Sequence, residues 1–463
     1  MKSLTDPSQA LAAGLAKIRT EFHVPYGFPP NVMAAAEAAA KRVPNQHVDR
    51  TAMPFVTLDP ASSTDLDQAF SIEASGGDLL LHYAIADVAW FVADGDAVDL
   101  EAWTRGETLY LPDGKAGLYP PVLAEAAASL LPDGPRPAVI FTVRVAEDGA
   151  VKLDGAERAI MQSRAKLAYD SVQASDVPAG FAELARRIAA NEARRGASRV
   201  DPPEQEVDKL ADGSFQLSFR PILQSEQDNA ALSLAANMAI ADAMLAHKTG
   251  LFRVMAEPDG FKVQRLRNAA QALGLSWPAS TSLHDYQRTL DPANKQQAAL
   301  MLEIRHASSG ASYQPYEEGV VPWHEAMAAT YAHSTAPLRR LADRYVVRCT
   351  LAIANGQPVP QAVSDAFARL PKAMGRADGR ASQINHAAID LAEAVMLKGR
   401  EGETFNAVVT DIVDQGVRVH LADMPVVANV KTSGLRQGDS LRLKLVSADP
   451  DQRSIVFEPA APV

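Results

Sequence analysis

Asp59-Pro60-Ala61-Ser62-Ser63-Thr64-Asp65-Leu66-Asp67-Gln68 follows the apolar run Phe55-Val56-Thr57-Leu58 and leads into Ala69-Phe70-Ser71-Ile72. Three carboxylates therefore stand between two strand-like runs. Side chains two apart in extended chain share a face, so Asp65 and Asp67 point together if that stretch is extended. Like charges held this close repel unless a cation or hydrogen-bond donors offset them. Hard divalent ions such as Mg²⁺ take oxygen ligands, commonly one or two carboxylates plus substrate phosphate, and activate water for phosphodiester cleavage. A solvated acidic loop uses the same residues, and D-x-D alone is common. The extra Asp59 narrows the choice between these readings without closing it.

Working outward, strands are expected at 55–58, 69–73 and 79–92, the last two joined through Gly76-Gly77. A Pro- and Gly-rich ordered loop spans 112–137. A hairpin over Asp148-Gly149 pairs 138–145 with 151–161. Helical periodicity then dominates, at 182–195, 229–247, 264–273, 294–307, 338–354 and 378–397. Strands followed by helices point to an α+β domain with helices packed on one sheet. Before it, Leu11, Leu15 and Ile18 share a helical face, and Asn31 is placed to cap a second helix reaching Ala40. This pair reads as a packing element, with a helix-turn-helix as the alternative. After it, five short strands (404–411, 417–420, 426–430, 440–446 and 454–457) suit an OB-type barrel. The expected domains are 1–48, 49–398 and 399–463.

The chain has 463 residues, 47% hydrophobic and 22% charged, with one cysteine. A disulfide framework is excluded, and a reducing cytoplasm fits. No stretch approaches about 18 consecutive apolar residues, so no membrane span is expected. A net charge of −11 argues against a generally basic nucleic-acid surface. It leaves room for a locally basic path that threads a single strand.

Several segments, in order, resemble the ribonuclease II (RNB) exoribonuclease family. The cluster resembles its D-x5-D-x-D-D signature, with Gln68 where the fourth aspartate is usual. Leu81-His82-Tyr83-Ala84-Ile85-Ala86-Asp87-Val88 resembles the strand after it. Tyr110-Leu111-Pro112 resembles the Y-L-P loop, and Lys166-Leu167-Ala168-Tyr169 the K-L-x-Y element. Leu251-Phe252-Arg253-Val254 with Glu257-Pro258 resembles L-x-R-V-H-x-x-P. Ser334-Thr335-Ala336-Pro337-Leu338-Arg339-Arg340-Leu341-Ala342-Asp343 resembles T-S-P-I-R-R-Y-A-D. Ser233 to Asp242 matches the family's S-L-x-E-E-x-M-x-x-A-N helix without its glutamates. Gly402, Phe405, Ala407 and Val409 resemble the start of an S1 RNA-binding barrel.

The resemblance implies an RNB-type catalytic domain, a mixed sheet with helices enclosing a channel, followed by an S1-type OB-fold. It implies 3′→5′ hydrolysis of single-stranded RNA to nucleoside 5′-monophosphates. Asp67, Asp65 and Arg339 would act in catalysis. Asp59, Asp65, Asp67 and Gln68 would hold Mg²⁺, with Mn²⁺ an alternative. Gln68 would ligate through its amide oxygen, without charge. Arg339 suits a scissile phosphate because a guanidinium offers it two fixed hydrogen bonds. Tyr169 and Tyr110 would stack bases. Arg340, Asp242 and Phe405 complete the expected RNA contacts, and Lys431, Arg436, Arg442 and Lys444 could track phosphates. Arg344 and Arg348, in register with Arg340, read as a solvated basic face. A monomer with no membrane and no obligate protein partner is expected. Longer family members carry cold-shock barrels where this chain has about 48 residues, which implies a more open entrance. Gln68 and the missing glutamates motivate a rival, a catalytically weakened RNA-binding protein.

Overall fold

The structure is a computed structural model that describes residues 10–197, 204–209, 215–220, 222–287, 289–290, 294–307, 310–413, 416–436 and 438–460. Helices α1 (Ala10–Glu21) and α2 (Pro30–Ala40) come first. They are followed by β1 (Val48–Asp49), β2 (Phe55–Asp59), β3 (Gln68–Ser75) and β4 (Asp78–Ala86). Helices α3 (Val88–Phe91) and α4 (Ala97–Arg105) and the hairpin β5 (Leu109–Leu111)–β6 (Gly114–Ala116) precede β7 (Arg136–Val145), β8 (Val151–Met161) and β9 (Ser163–Ala168). Seven of these strands form a mixed sheet in the order β1-β8-β7-β4-β3-β2-β9, parallel at β1–β8 and β2–β9.

β4 shows why the sheet is central. Leu79, Leu81 and Tyr83 are buried in alternation, and from Ala84 to Ala86 both faces are covered. The strand stops earlier than the expected Val92. Asp87 is buried, pairs with Arg158 and His47, and caps α3 by accepting from the Trp90 amide. A capped helix start satisfies amides that a continuing strand would have paired elsewhere.

Helix α5 (Phe181–Arg195), the hairpin β10 (Glu204–Lys209)–β11 (Phe215–Arg220) and α6 (Gln224–Ala246) follow. α6 lies against β7 and β8, with α5 and α10 (Leu341–Ala354) beside it. By length and composition α6 could cross a membrane, but 67% of its most apolar window is buried inside the protein. Its alanines let neighbouring elements approach closely, which suits a core helix. Between α6 and α10 lie β12 (Leu251–Val254), α7 (Gly260–Ala272), α8 (Leu283–Gln287), α9 (Lys295–Ala307), β13 (Ser312–Pro315), β14 (Trp323–His324) and β15 (Ala329–Thr330).

α11 (Gln361–Leu397) begins well before the expected Asp378 and runs through Pro371. A mid-helix proline costs about 3 kcal/mol. Burial of Val363, Phe367, Leu370 and Met374 on the same helix offsets it. α11 ends inside the barrel, where Leu397 joins Phe405, Val409, Val419, Leu443, Leu445 and Phe457 in one core. The barrel strands are β16 (Thr404–Val413), β17 (Gly416–Leu421), β18 (Val427–Val430), β19 (Ser440–Asp449) and β20 (Ser454–Pro459), ordered β18-β17-β16-β19-β20. The α+β domain with a following barrel is as expected.

The N-terminal helices differ from expectation. Pro30 starts α2 with no side-chain cap from Asn31 or any other residue. Proline at the first helical turn needs none, because its missing N–H is one the helix leaves unpaired. Val32, Ala36 and Ala39 of α2 enter the main core, whereas Leu11, Leu15 and Ile18 of α1 pack with Ile384, Ala388 and Leu391 of α11. The two helices share no core, so they do not form a helix-turn-helix. α1 also reaches the barrel through Lys17–Asp451 at 2.5 Å and Glu21–Arg453 at 2.8 Å. Arg19 donates two hydrogen bonds to Asp113 and one to the Gly114 carbonyl, fastening the β5–β6 hairpin.

Candidate active site

β2 ends on Asp59 and β3 begins on Gln68, so the loop between them crosses the ends of both strands. Ser129 pins that loop. Its Oγ accepts from the Leu66 amide at 2.8 Å and donates to the Thr64 carbonyl at 2.7 Å. Leu66 is fully buried, and Asp65 and Asp67 flank it. The Asp67 Oδ1 accepts from the Leu338 amide at 2.6 Å, and its Oδ2 lies 3.5 Å from Arg339 Nε. The Asp59 Oδ2 is buried without a hydrogen-bond partner. Burial pushes the Asp59 carboxyl up to about 7, against the pull of Arg339. Burial likewise pushes Asp67 up to about 8, opposed by Arg339 and the Leu338 amide. Two desolvated carboxyls facing one guanidinium leave a demand for more positive charge.

Asp65 meets a different partner. Lys115 Nζ, from β6, lies 2.7 Å from its Oδ1 and 3.1 Å from Glu125. Gln68 is also engaged. Its Oε1 accepts from the Tyr83 hydroxyl at 2.7 Å and from Ser233 Oγ at 3.2 Å. An oxygen holding two donors is a poor additional ligand. Among the described residues, no three His, Cys, Asp or Glu side chains converge in a metal-binding arrangement. Asp59 and Asp67 still fit one Mg²⁺, which commonly keeps several waters and takes one or two carboxylates with the substrate phosphate. The unpartnered Asp59 oxygen is the observation that favours this fit.

Sequence reasoning missed the polar stripe on α6. Asn229 Nδ2 donates to the Leu58 carbonyl at 3.2 Å and to the Tyr169 hydroxyl at 2.9 Å. Ser233 Oγ lies 2.6 Å from the Tyr83 hydroxyl, and Asn237 Oδ1 accepts from the Ser334 amide and hydroxyl. These residues are spaced by four on an otherwise apolar helix, so they share one face. They tie the ends of β2, β3 and β4 to the segment before α10. The four-residue spacing was the available signal.

Tyr169 follows β9, with its amide 3.3 Å from the Asp59 carbonyl. Tyr110 projects outward from β5 between buried Leu109 and Leu111. Both tyrosines line one open cavity of about 580 Å³, together with Pro60, Val207, Glu226 and Asn385. Burial, and then the nearby carboxylates, raise both phenols well above their ordinary range, so both stay neutral. The cavity therefore offers two neutral aromatic side chains near the carboxylates. Such a surface can stack bases regardless of sequence.

The two adjacent arginines part company. The Arg339 side chain is 46% exposed and points toward Asp67. Arg340 turns inward and grips Asp343 through two hydrogen bonds, 3.0 and 2.7 Å. Expected as an RNA contact, it is engaged in an internal ion pair with 16% of its side chain exposed. Arg344 is not on a solvated face. It is buried against Asp99 and the Tyr345 hydroxyl. Arg348 pairs with Asp94. Asp242, an expected RNA contact, accepts from Thr330 and lies near Arg195. Phe405 is a core residue of the barrel, in a T-shaped pair with Phe457 and covered by Arg400. Lys431, Arg436, Arg442 and Lys444 are exposed on the barrel. Cys349 is buried, and burial pushes its thiol up to about 11.

Comparison with known proteins matches residues 47–355 to the RNB domain and 403–460 to the RNase II-type exonuclease C-terminal S1 domain. Ribonuclease R of Aquifex aeolicus is 25% identical over 95% of this chain and 69% of that protein. Exoribonuclease 2 of Serratia proteamaculans is 27% identical over 93% of this chain and 73% of that protein. The apo form of Mycoplasma genitalium RNase R has the same fold, with a TM-score of 0.86 and 19% identity over 97% of this chain and 78% of that one. Yeast Ssd1, described as a pseudonuclease, is also similar in fold, with a TM-score of 0.68 and 15% identity over 95% of this chain and 57% of that one.

Proposed function

For a chain that belongs to the RNB family of exoribonucleases, we propose 3′→5′ hydrolysis of single-stranded RNA to nucleoside 5′-monophosphates, dependent on a divalent metal, Mg²⁺ or Mn²⁺. The observation that carries this reading is the pair Asp59 and Asp67, desolvated beside Arg339 and near two tyrosines that line one cavity. Asp59 and Asp67 would hold the ion, which when bound supplies a water activated for attack. Arg339 offsets charge that develops on the scissile phosphate, where a fixed guanidinium acts without reorganisation. Tyr169 stacks the terminal nucleotide, and Asn229 holds its hydroxyl so that the ring keeps one orientation. Tyr110 stacks a base further out. Asp65, tied to Lys115, shapes the electrostatics of the cluster. The chain works as a cytoplasmic monomer on the RNA 3′ end.

The test is stepwise shortening of 5′-labelled poly(A), with release of mononucleotides from uniformly labelled poly(A), with Mg²⁺, and with EDTA and Asp67→Asn as controls. Loss in both controls is expected. The second reading, an RNA-binding protein with weakened catalysis, draws on Gln68 held by Tyr83 and Ser233. RNA binding without any Mg²⁺-dependent release would select it.

A further inference from the structure

We propose that Lys115 is a built-in cation that keeps Asp65 out of the divalent-ion site, so that the carboxylate cluster takes a single metal ion. This rests on the reading that Asp59 and Asp67 hold that ion. Lys115 is not a loose surface lysine. Its side chain is 26% exposed, with Nζ 2.7 Å from Asp65 and 3.1 Å from Glu125. Its strand is held in place, because Arg19 grips Asp113 and the Gly114 carbonyl immediately before it. The Leu109 and Leu111 side chains on the paired strand are buried with α1 and α11.

Two of the four residues of the cluster are already engaged. Lys115 holds Asp65 and Glu125 together, so a divalent ion at Asp65 would have to displace the ammonium or sit against it, like charge beside like charge. Gln68 contributes no charge and spends its oxygen on Tyr83 and Ser233. Space is not what prevents a second ion. A cavity of about 270 Å³ runs beside Asp65, Lys115, Glu125 and Leu338. That is several times the volume of a water molecule, about 30 Å³. Removing the ammonium opens Asp65 to that space.

The experiment counts Mn²⁺ bound to the full chain by equilibrium dialysis, with free Mn²⁺ read by electron paramagnetic resonance. The wild type is expected to bind one ion tightly. Asp67→Asn should weaken that ion about tenfold or more. Asp65→Asn should keep one bound ion and weaken it less than Asp67→Asn does. Lys115→Met should gain a second ion, and adding Asp65→Asn to Lys115→Met should remove it again. Lys115→Arg should stay at one. A wild type that binds two ions, or an Asp65→Asn chain that loses its ion, would overturn the proposal without needing the Lys115 variants to fold. An unchanged count in a folded Lys115→Met chain would overturn it as well. A wild type that binds no Mn²⁺ would instead remove the metal reading beneath it.

Discussion

Arg339 and Arg340 are neighbours in sequence, and replacing each by alanine should fail in a different way. Arg340 is the main support of Asp343, a carboxylate with no solvent exposure. After Arg340→Ala, Asp343 keeps the Ala336 amide at 2.8 Å but loses both guanidinium bonds. An unpaired buried charge costs about 3–5 kcal/mol. Arg339 is half exposed and 3.5 Å from Asp67, so Arg339→Ala should cost about 0–1 kcal/mol of stability. Its backbone contact, Thr108 amide to Arg339 carbonyl at 2.9 Å, survives the substitution. The loss should fall on turnover. Removing one preorganised donor from a developing anion lowers turnover by about 10²–10³-fold. Urea denaturation and mononucleotide release from labelled poly(A) measure the two quantities separately. If Arg339→Ala destabilises as much as Arg340→Ala, or turns over at the wild-type rate, the division of labour between these residues is wrong.

Tyr169→Ala should weaken binding of an RNA 3′ end by about 1–3 kcal/mol, the worth of one base stack, whereas Tyr169→Phe should keep most of it. Fluorescence anisotropy with a labelled oligoadenylate in EDTA reads this directly. Glu393 of α11 gives a pH prediction. Burial pushes its carboxyl up to about 7, although it accepts from the Val427 amide of the barrel and from Gln205. The folded state therefore holds this proton more tightly than the unfolded chain. The stability Glu393 contributes is present below the unfolded value near 4.5 and is lost as pH rises through about 7. Wild-type stability should fall between those limits by up to about 3 kcal/mol more than that of Glu393→Gln, as measured by urea titrations at several pH values.

Much of this architecture was legible in the sequence because periodicity reports burial directly. β4, β7 and β8, the core helices and the five barrel strands follow from it. The aspartate cluster and Arg339 were legible as residue types fitted to phosphate chemistry. What sequence could not supply was pairing between distant residues. The Lys115–Asp65 contact depends on where a hairpin folds back. Arg339 and Arg340 have the same chemistry, and only the turn at Pro337 decides which one faces out. The stripe of Asn229, Ser233 and Asn237 has the spacing of one helical face, but its partners Leu58, Gln68 and Ser334 lie far away in sequence. Phe405 matched an RNA-binding pattern, yet in a small barrel an aromatic on an inward register position fills the core.

The contacts made by α1 also constrain how the chain is made. Lys17 and Glu21 meet partners 434 and 432 residues later, and Leu11 and Leu15 rest on the last long helix. Ribosomes add about 5–20 residues per second, so α1 waits roughly 20 to 90 s before its docking surface emerges. For most of that interval its apolar face has only the β5–β6 hairpin as a native neighbour. Helix α1 can thus complete its contacts only after α11 and the barrel have been synthesised.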